Sequence, residues 1–220
     1  MKYFSGLFCL SLALIANISF AQANILADAP PIHYNIIAER SHKTNLFTQG
    51  FLYKDGSFYE SSGLYTRSTL VSYPLAEPAS AWEKMTAPFT QKQKLPDRFF
   101  AEGLTLLNNK LYLITWQEST AFVYKAADFS FVKTFNYTGQ GWGLATDGKY
   151  IIRSDGSQTL FFHNPETFAV EKTISVKYKQ EAILNLNELE YAEGFIWANI
   201  WHDNRIIKIN PTTGDVVGAL

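Results

Sequence analysis

Glu102 is a carboxylate set between Phe99-Phe100-Ala101 and Gly103-Leu104. An apolar setting disfavours the charged form and suits a carboxyl group to passing a proton near neutral pH. The same residues fit a Glu hydrogen-bonded to backbone amides of a neighbouring element, and sequence alone weighs the two equally. Gln49, Trp142 and Asn187 occupy the equivalent place in three other copies of one short phrase. Each copy has a polar or aromatic residue, usually a Gly next, an apolar strand, a tight turn and a second strand. The copies begin Gln49-Gly50-Phe51, Glu102-Gly103-Leu104, Trp142-Gly143-Leu144 and Asn187-Glu188-Leu189, 53, 40 and 45 residues apart. A proton-passing carboxylate, two amides and an indole brought to one place would make a site. An inward Asn187 could hold a substrate amide or a developing oxyanion.

Trp116 and Trp201 each fall 14 residues after a copy begins, at the expected end of its second strand. They join Trp142 as expected walls of the site, whereas Trp82 and Trp197 are expected to pack between sheets. Alternation along Leu186-Asn187-Glu188-Leu189-Glu190 places Asn187 and Leu189 on one side and the two Glu on the other. Asp155, in Ser154-Asp155-Gly156-Ser157, could orient a cationic amine, although Asp-Gly is more often a turn; Glu60 in Tyr59-Glu60-Ser61 is similar. The four His are scattered without ligand spacing and there is no HExxH, so a catalytic zinc site lacks support. Gly139-Gln140-Gly141-Trp142-Gly143 opens a strand, not the helix that a dinucleotide fingerprint requires. No GxSxG is present.

These residues need a frame that carries equivalent positions to one axis, and repeats of this period with several strands each are the signature of β-propeller blades. The second copy reads as strands at 103–107, 110–116, 121–124 and 131–135, with a turn at Asn108-Asn109. Asp55-Gly56 and Asp147-Gly148 mark hairpins, and Asn164-Pro165 and Asn210-Pro211 mark turns between third and fourth strands. Pro74 to Pro96 reads as an inserted surface loop. Tyr34 to Glu39 reads as a terminal strand of the kind that completes a last blade and hides its edge. The fourth copy ends its last strand at Val216-Val217-Gly218.

With 15% aromatic residues in 220, the chain suits one all-β domain, and a formal charge of −1 gives no footprint for nucleic acid or an anionic membrane. Lys2, the apolar run Leu7–Phe20 and Ala21-Gln22-Ala23 read as a secretory signal over 1–23, too short in its apolar part for a bilayer span. The single Cys, Cys9, lies inside it, so residues 24–220, the propeller domain, carry no thiol. A periplasmic or secreted monomer is expected, with no cofactor; a structural calcium in a propeller channel is compatible with the sequence but not specified by it.

In order and at family-like spacing, Phe47-Thr48-Gln49-Gly50, Tyr59-Glu60-Ser61, Phe100-Ala101-Glu102-Gly103-Leu104-Thr105, Leu113-Ile114-Thr115-Trp116, Phe122-Val123-Tyr124, Gly141-Trp142-Gly143-Leu144, Ser154-Asp155-Gly156-Ser157, Leu186-Asn187-Glu188-Leu189-Glu190-Tyr191 and Ala198-Asn199-Ile200-Trp201 resemble the glutamine cyclotransferase family. That resemblance runs from Phe47 to Val217. It implies a five-bladed β-propeller, of which four blade repeats are recognisable here and the fifth is incomplete. It also implies cyclisation of an N-terminal Gln to pyroglutamate with release of ammonia, on peptides or proteins that begin with Gln. The family's acid/base Glu falls on Glu102, and its pocket residues on Gln49, Trp116, Trp142, Asn187 and Trp201. Ala101 and Gln140 stand where the family usually has Gly and Glu. Neither an Asn-Gly-Ile-Ala-type blade start nor a Thr-Gly-Lys segment with its site lysine follows the fourth copy, as expected of a fragment or of an inactive relative. The alternatives to a glutaminyl-peptide cyclotransferase are accordingly an inactive propeller that binds peptides or serves as an interaction module, and, less favoured, a metal-dependent propeller hydrolase.

Overall fold

The computed structural model describes residues 25–39, 42–75 and 89–220. The expected signal segment and Trp82 lie outside them. Four four-stranded antiparallel sheets follow one another in chain order. Blade 1 has β1 (Thr48–Lys54), β2 (Ser57–Ser62), β3 (Thr69–Pro74) and β4 (Gln91–Lys94). Blade 2 has β5 (Ala101–Leu107), β6 (Lys110–Thr115), β7 (Thr120–Lys125) and β8 (Phe131–Asn136). Blade 3 has β9 (Leu144–Thr146), β10 (Ile151–Arg153), β11 (Thr159–His163) and β12 (Val170–Ser175). A two-stranded ribbon, β13 (Lys177–Tyr178) and β14 (Glu181–Ala182), leads into blade 4, made of β15 (Leu186–Ala192), β16 (Phe195–Ile200), β17 (Ile206–Ile209) and β18 (Val216–Ala219).

Local chemistry makes each sheet a meander. Asp55-Gly56, Asn108-Asn109 and Glu193-Gly194 have positive φ at both residues, the mirror-image turn whose twist matches a two-residue hairpin. Asn164 Oδ1 accepts the amides of Glu166 and Thr167, and Asn210 Oδ1 those of Thr212 and Thr213, so the same capped turn joins third to fourth strands in blades 3 and 4.

Apolar residues from facing sheets form three cores, one at each junction. Leu70 and Leu95 of blade 1 meet Leu104, Leu111, Leu113 and Phe122 of blade 2. Tyr112, Ile114 and Val123 meet Leu144, Ile151 and Phe168. Ile152, Leu160 and Phe162 meet Leu189, Ile196, Ala198 and Ile207. Each fully buried side chain of this size is worth about 1.5–3 kcal/mol of hydrophobic transfer. β1 lies against β5, β5 against β9 and β9 against β15.

Three expectations need correction. Among the described residues there are four blades, not five, and no inner strand stands between β15 and β1. The stretch from Pro74 to Pro96 is not loop alone, because it holds β4, the outer strand of blade 1. Tyr34 to Glu39 forms no strand, and Tyr34, Ile36 and Ile37 are exposed. Residues just before it take the edge instead: Ile32 N donates to Ala219 O and Ala219 N to Pro30 O, in a parallel bridge beside β18. Ile196 and Ala198 face blade 3, and Trp197, between them, lies on the other face of blade 4 under Lys208.

Candidate active site

Three inner strands break register at the residues singled out by sequence. β1 shifts between Thr48 and Gly50, β5 between Ala101 and Leu104, and β15 between Leu186 and Leu189. Each irregularity contains the candidate residue: Gln49, Glu102, Asn187. A bulge adds backbone without a partner and re-aims a side chain. It also overturns strict alternation along β15, because Leu186 and Leu189 are three apart yet share one core, while Asn187 turns to a cavity. Trp142 stands just before β9, and its amide donates to Ser154 O.

Two serines tie these bulges to the next blade. Gly50 N donates to Ser61 Oγ (2.8 Å), which donates to Glu102 O at 2.5 Å. Gly143 N donates to Ser154 Oγ (2.7 Å), which donates to Asn187 O at 2.7 Å. Between blades 2 and 3 the link is direct, Gly103 N to Trp142 O at 2.8 Å. Backbones approach so closely there that a Cβ at Gly50, Gly103 or Gly143 would overlap Leu104, Gly143–Leu144 or Asn187–Glu188. That explains why the recurring phrase carries Gly at this place.

The side chains converge on a cavity of about 230 Å³ lined by Phe47, Gln49, Phe100, Glu102, Trp116, Trp142, Asn187 and Trp201. Its aromatic rim is held edge to face. Phe47 meets Phe100 at 6.3 Å, Phe100 meets Trp116 at 5.7 Å, and Trp142 meets Trp201 at 5.5 Å between ring centres. Trp116 and Trp142 do not touch one another but share an acceptor: their indole N–H groups donate to Gln140 Oε1 at 2.9 and 2.8 Å. These two indoles therefore turn their donors away from the cavity and offer it apolar surface.

Burial pushes the Glu102 carboxyl up to about 9, with the charge of Glu118 adding to the effect. Glu118 is fixed by Tyr65 Oη (2.8 Å) and by the amide of Phe100 (3.3 Å). Glu188, beside Asn187, is driven well above the carboxylate range by burial and then by the charges of Glu190 and Glu102, and its Oε2 has no hydrogen-bond partner among the described residues. The site thus offers a neutral carboxylic acid with amide groups of Gln49 and Asn187 around an apolar slot. A carboxylic acid can give a proton from one oxygen and take one on the other.

The family model for glutamine cyclotransferases matches residues 8–220. The chain belongs to this family. A glutaminyl-peptide cyclotransferase of Arabidopsis thaliana is 37% identical over 185 residues, covering 83% of this chain and 55% of that protein. The chain thus spans about half the length of that curated relative. The crystal structure of a Myxococcus xanthus glutaminyl cyclase superposes with a TM-score of 0.74 at 38% identity, covering 84% of this chain and 75% of that one. The WD40 propeller domain of Doa1 superposes at 0.53 with 12% identity over 77% of this chain and 52% of that one, a likeness of fold alone.

Of the residues expected from this family's pattern, Gln49, Glu102, Trp116, Trp142, Asn187 and Trp201 all line the one cavity. Asp155 does not: its Oδ1 accepts Ser157 N and Oγ at 3.0 and 2.6 Å, which makes it a turn residue, while Gly156 packs beneath the Trp142 ring. Glu60 is buried within blade 1, accepting Thr48 Oγ1 at 2.5 Å and Tyr73 Oη at 2.8 Å, with His42 at 3.0 Å. Phe47, Phe100 and Gln140 were not expected as site residues. Phe47, Phe100 and Gln140 each lie two residues before a copy's opening residue, and that shared offset was their one legible signal. Among the described residues no group of three or more His, Cys, Asp or Glu is placed to hold a metal ion.

Proposed function

We propose that this chain carries the active site of a glutaminyl-peptide cyclotransferase, acting on peptides and proteins that begin with Gln. One observation carries the reading: a carboxyl group kept neutral by burial, facing a slot walled by three indoles and flanked by the amides of Gln49 and Asn187. The names of the Arabidopsis and Myxococcus relatives support it. In the reaction the neutral α-amine attacks the γ-carboxamide carbon of its own residue. Glu102 takes one amine proton on its carbonyl oxygen while its hydroxyl gives its proton to the departing nitrogen. The new C–N bond closes the lactam, the old one breaks, ammonia leaves, and Glu102 ends protonated as it began. Nucleophile and electrophile belong to one residue, so the aromatic walls mainly have to fold the side chain back and exclude water.

The whole molecule, on this reading, is a five-bladed ring exported to the periplasm or the medium, working as a monomer without a catalytic cofactor. Support for a further blade comes from the faces beside the gap that carry no junction core among the described residues, where Phe51 stacks on Phe58 and Tyr73 tilts against Phe58 on blade 1, and Trp197 and Phe195 lie under Lys208 on blade 4. The test is ammonia release from a Gln-initiated peptide. Glu102→Gln is expected to lower kcat by about 10²–10⁴ with circular dichroism unchanged. Turnover that survives this substitution removes Glu102 from the mechanism.

A further inference from the structure

Beneath the aromatic rim lies a buried cation that the reaction as written does not use. Arg153 is 1% exposed and, among the described residues, has no carboxylate in direct contact, although the charge of Asp155 is near enough to act on it. Its guanidinium lies between the rings of Tyr137 (4.7 Å) and Phe161 (4.4 Å). The Nε–H donates to His163 Nε2 at 3.2 Å. His163 Nδ1 faces Phe168 O at 2.8 Å, so the ring carries its proton on Nδ1 and presents a bare Nε2 to the arginine. Burial holds His163 down at about 4, and it stays neutral under ordinary conditions. The two terminal nitrogens of Arg153 both reach the segment that precedes Gly141-Trp142. One donates to the backbone oxygen of Gln140, the other to that of Thr138 at 3.3 Å.

We propose that Gln140 is a positioning residue of this site and that Arg153 is the group that aims it. Among the described residues, Gln140 Oε1 is the one side-chain acceptor shared by the two halves of the rim, Phe47–Phe100–Trp116 on one side and Trp142–Trp201 on the other, beside the backbone bond from Gly141 N to Trp116 O. One oxygen with two acceptor directions sets the angle of both indoles. The backbone after Gln140 is held by Gly141 N to Trp116 O at 2.9 Å and that before it by Ser119 Oγ to Gly139 O at 2.7 Å. The planar fork of Arg153, itself clamped by two rings and a histidine, fixes two carbonyls of that backbone at once. Tyr137 adds a second anchor, donating from its hydroxyl to Thr115 O at 2.5 Å, immediately before Trp116. The slot's width is thereby set from outside the cavity, by residues that never touch a substrate.

The kinetic part of this inference rests on the cyclotransferase reading; the geometric part does not, and the experiment separates them. Indole ¹H–¹⁵N resonances of Trp116 and Trp142, assigned by single Trp→Phe variants, are recorded without ligand in the parent chain, Gln140→Leu and Gln140→Glu. Gln140→Leu removes the shared acceptor, so both resonances should move upfield and exchange faster by about tenfold, while Gln140→Glu, which keeps an oxygen there, should restore them. Arg153→Lys keeps the charge but loses the fork, and should move the same two resonances by less. With a Gln-initiated peptide, Gln140→Leu should raise KM about fivefold at nearly constant kcat, again restored by Gln140→Glu. Unmoved indole resonances in Gln140→Leu overturn the role of Gln140, and unmoved ones in Arg153→Lys overturn that of Arg153. Should no variant or parent release ammonia, the cyclotransferase reading fails while the indole shifts still decide this one.

Discussion

At the scale of single residues, the proposed cyclotransferase chemistry turns on where the proton of Glu102 sits. The substrate α-amine has an ordinary pKa of about 8, and Glu102 is raised to about 9. The rate should climb as the amine loses its proton and fall as Glu102 ionises, so kcat/KM peaks between those limits. Burial sets most of that upper limit and Glu118 adds to it, because its negative charge disfavours a second one nearby. Glu118→Gln removes that charge and should bring the upper limb of the pH profile down by about half a unit; an unshifted limb would dissociate Glu118 from the site. Stability carries the same signature. The folded state keeps the Glu102 proton up to about 9 while the unfolded chain releases it near 4.5. Folding therefore takes up a proton within that window, and stability falls as pH rises through it, by at most about 1.4 kcal/mol per unit. Glu102→Gln should flatten the decline of Tm between pH 5 and 9, leaving the share that Glu188 contributes in the same direction. An equally steep decline in the variant would mean that Glu102 is not protonated in the folded state.

At the scale of elements, the serine relays decide whether the bulges hold. Ser61 serves Gly50 N and Glu102 O together, and Ser154 does the same for Gly143 N and Asn187 O. Either Ser→Ala change strips a buried amide and a buried carbonyl of this partner. Each should cost about 1–3 kcal/mol in denaturant unfolding with an unchanged m value. Ser61→Ala should also lower kcat through displaced Glu102, whereas a loss of stability with full kcat would show that the bulge holds its aim without the relay. Much at this scale was legible in the sequence. Asp55-Gly56 and Asn108-Asn109 announce hairpins through the φ values they tolerate, and β5 to β8 fall close to the strands read from apolar runs. The bulges were not legible, since an extra residue shows only against the register of its partner strand. Hence the failed alternation along Leu186–Glu190. Gln140 shares the offset of Phe47 and Phe100 from a copy's start, but its role depends on two indoles meeting at one oxygen, and no local pattern states that. Asp155 misled because the Asx turn and an amine-binding carboxylate have the same local sequence.

At the scale of the molecule, the distribution of cores predicts where the chain opens first. Blade 2 is packed on both faces, against blade 1 through Leu104, Leu111 and Leu113 and against blade 3 through Tyr112, Ile114 and Val123. Blade 3 is likewise double-sided, with Ile151 toward blade 2 and Ile152 and Leu160 toward blade 4. Blades 1 and 4 each contribute to one junction core among the described residues, and their other faces carry Tyr53 (54% exposed) and Val217 (40% exposed). Opening free energy follows buried apolar contact, so amide exchange should be slowest in β5–β7 and β10–β11 and faster in β1–β4 and β15–β18. The candidate site straddles that gradient. Glu102 and Trp142 stand on the protected blades, while Gln49 and Asn187 stand on the two outer ones. The further blade proposed above, packed on the faces of blades 1 and 4 that carry no junction core among the described residues, should then slow exchange there and lower KM through Gln49 and Asn187, with less change in the proton chemistry of Glu102. Hydrogen–deuterium exchange with peptide-level resolution measures this directly, and protection spread evenly over all four blades would show that the outer ones are stabilised by something other than their junction cores.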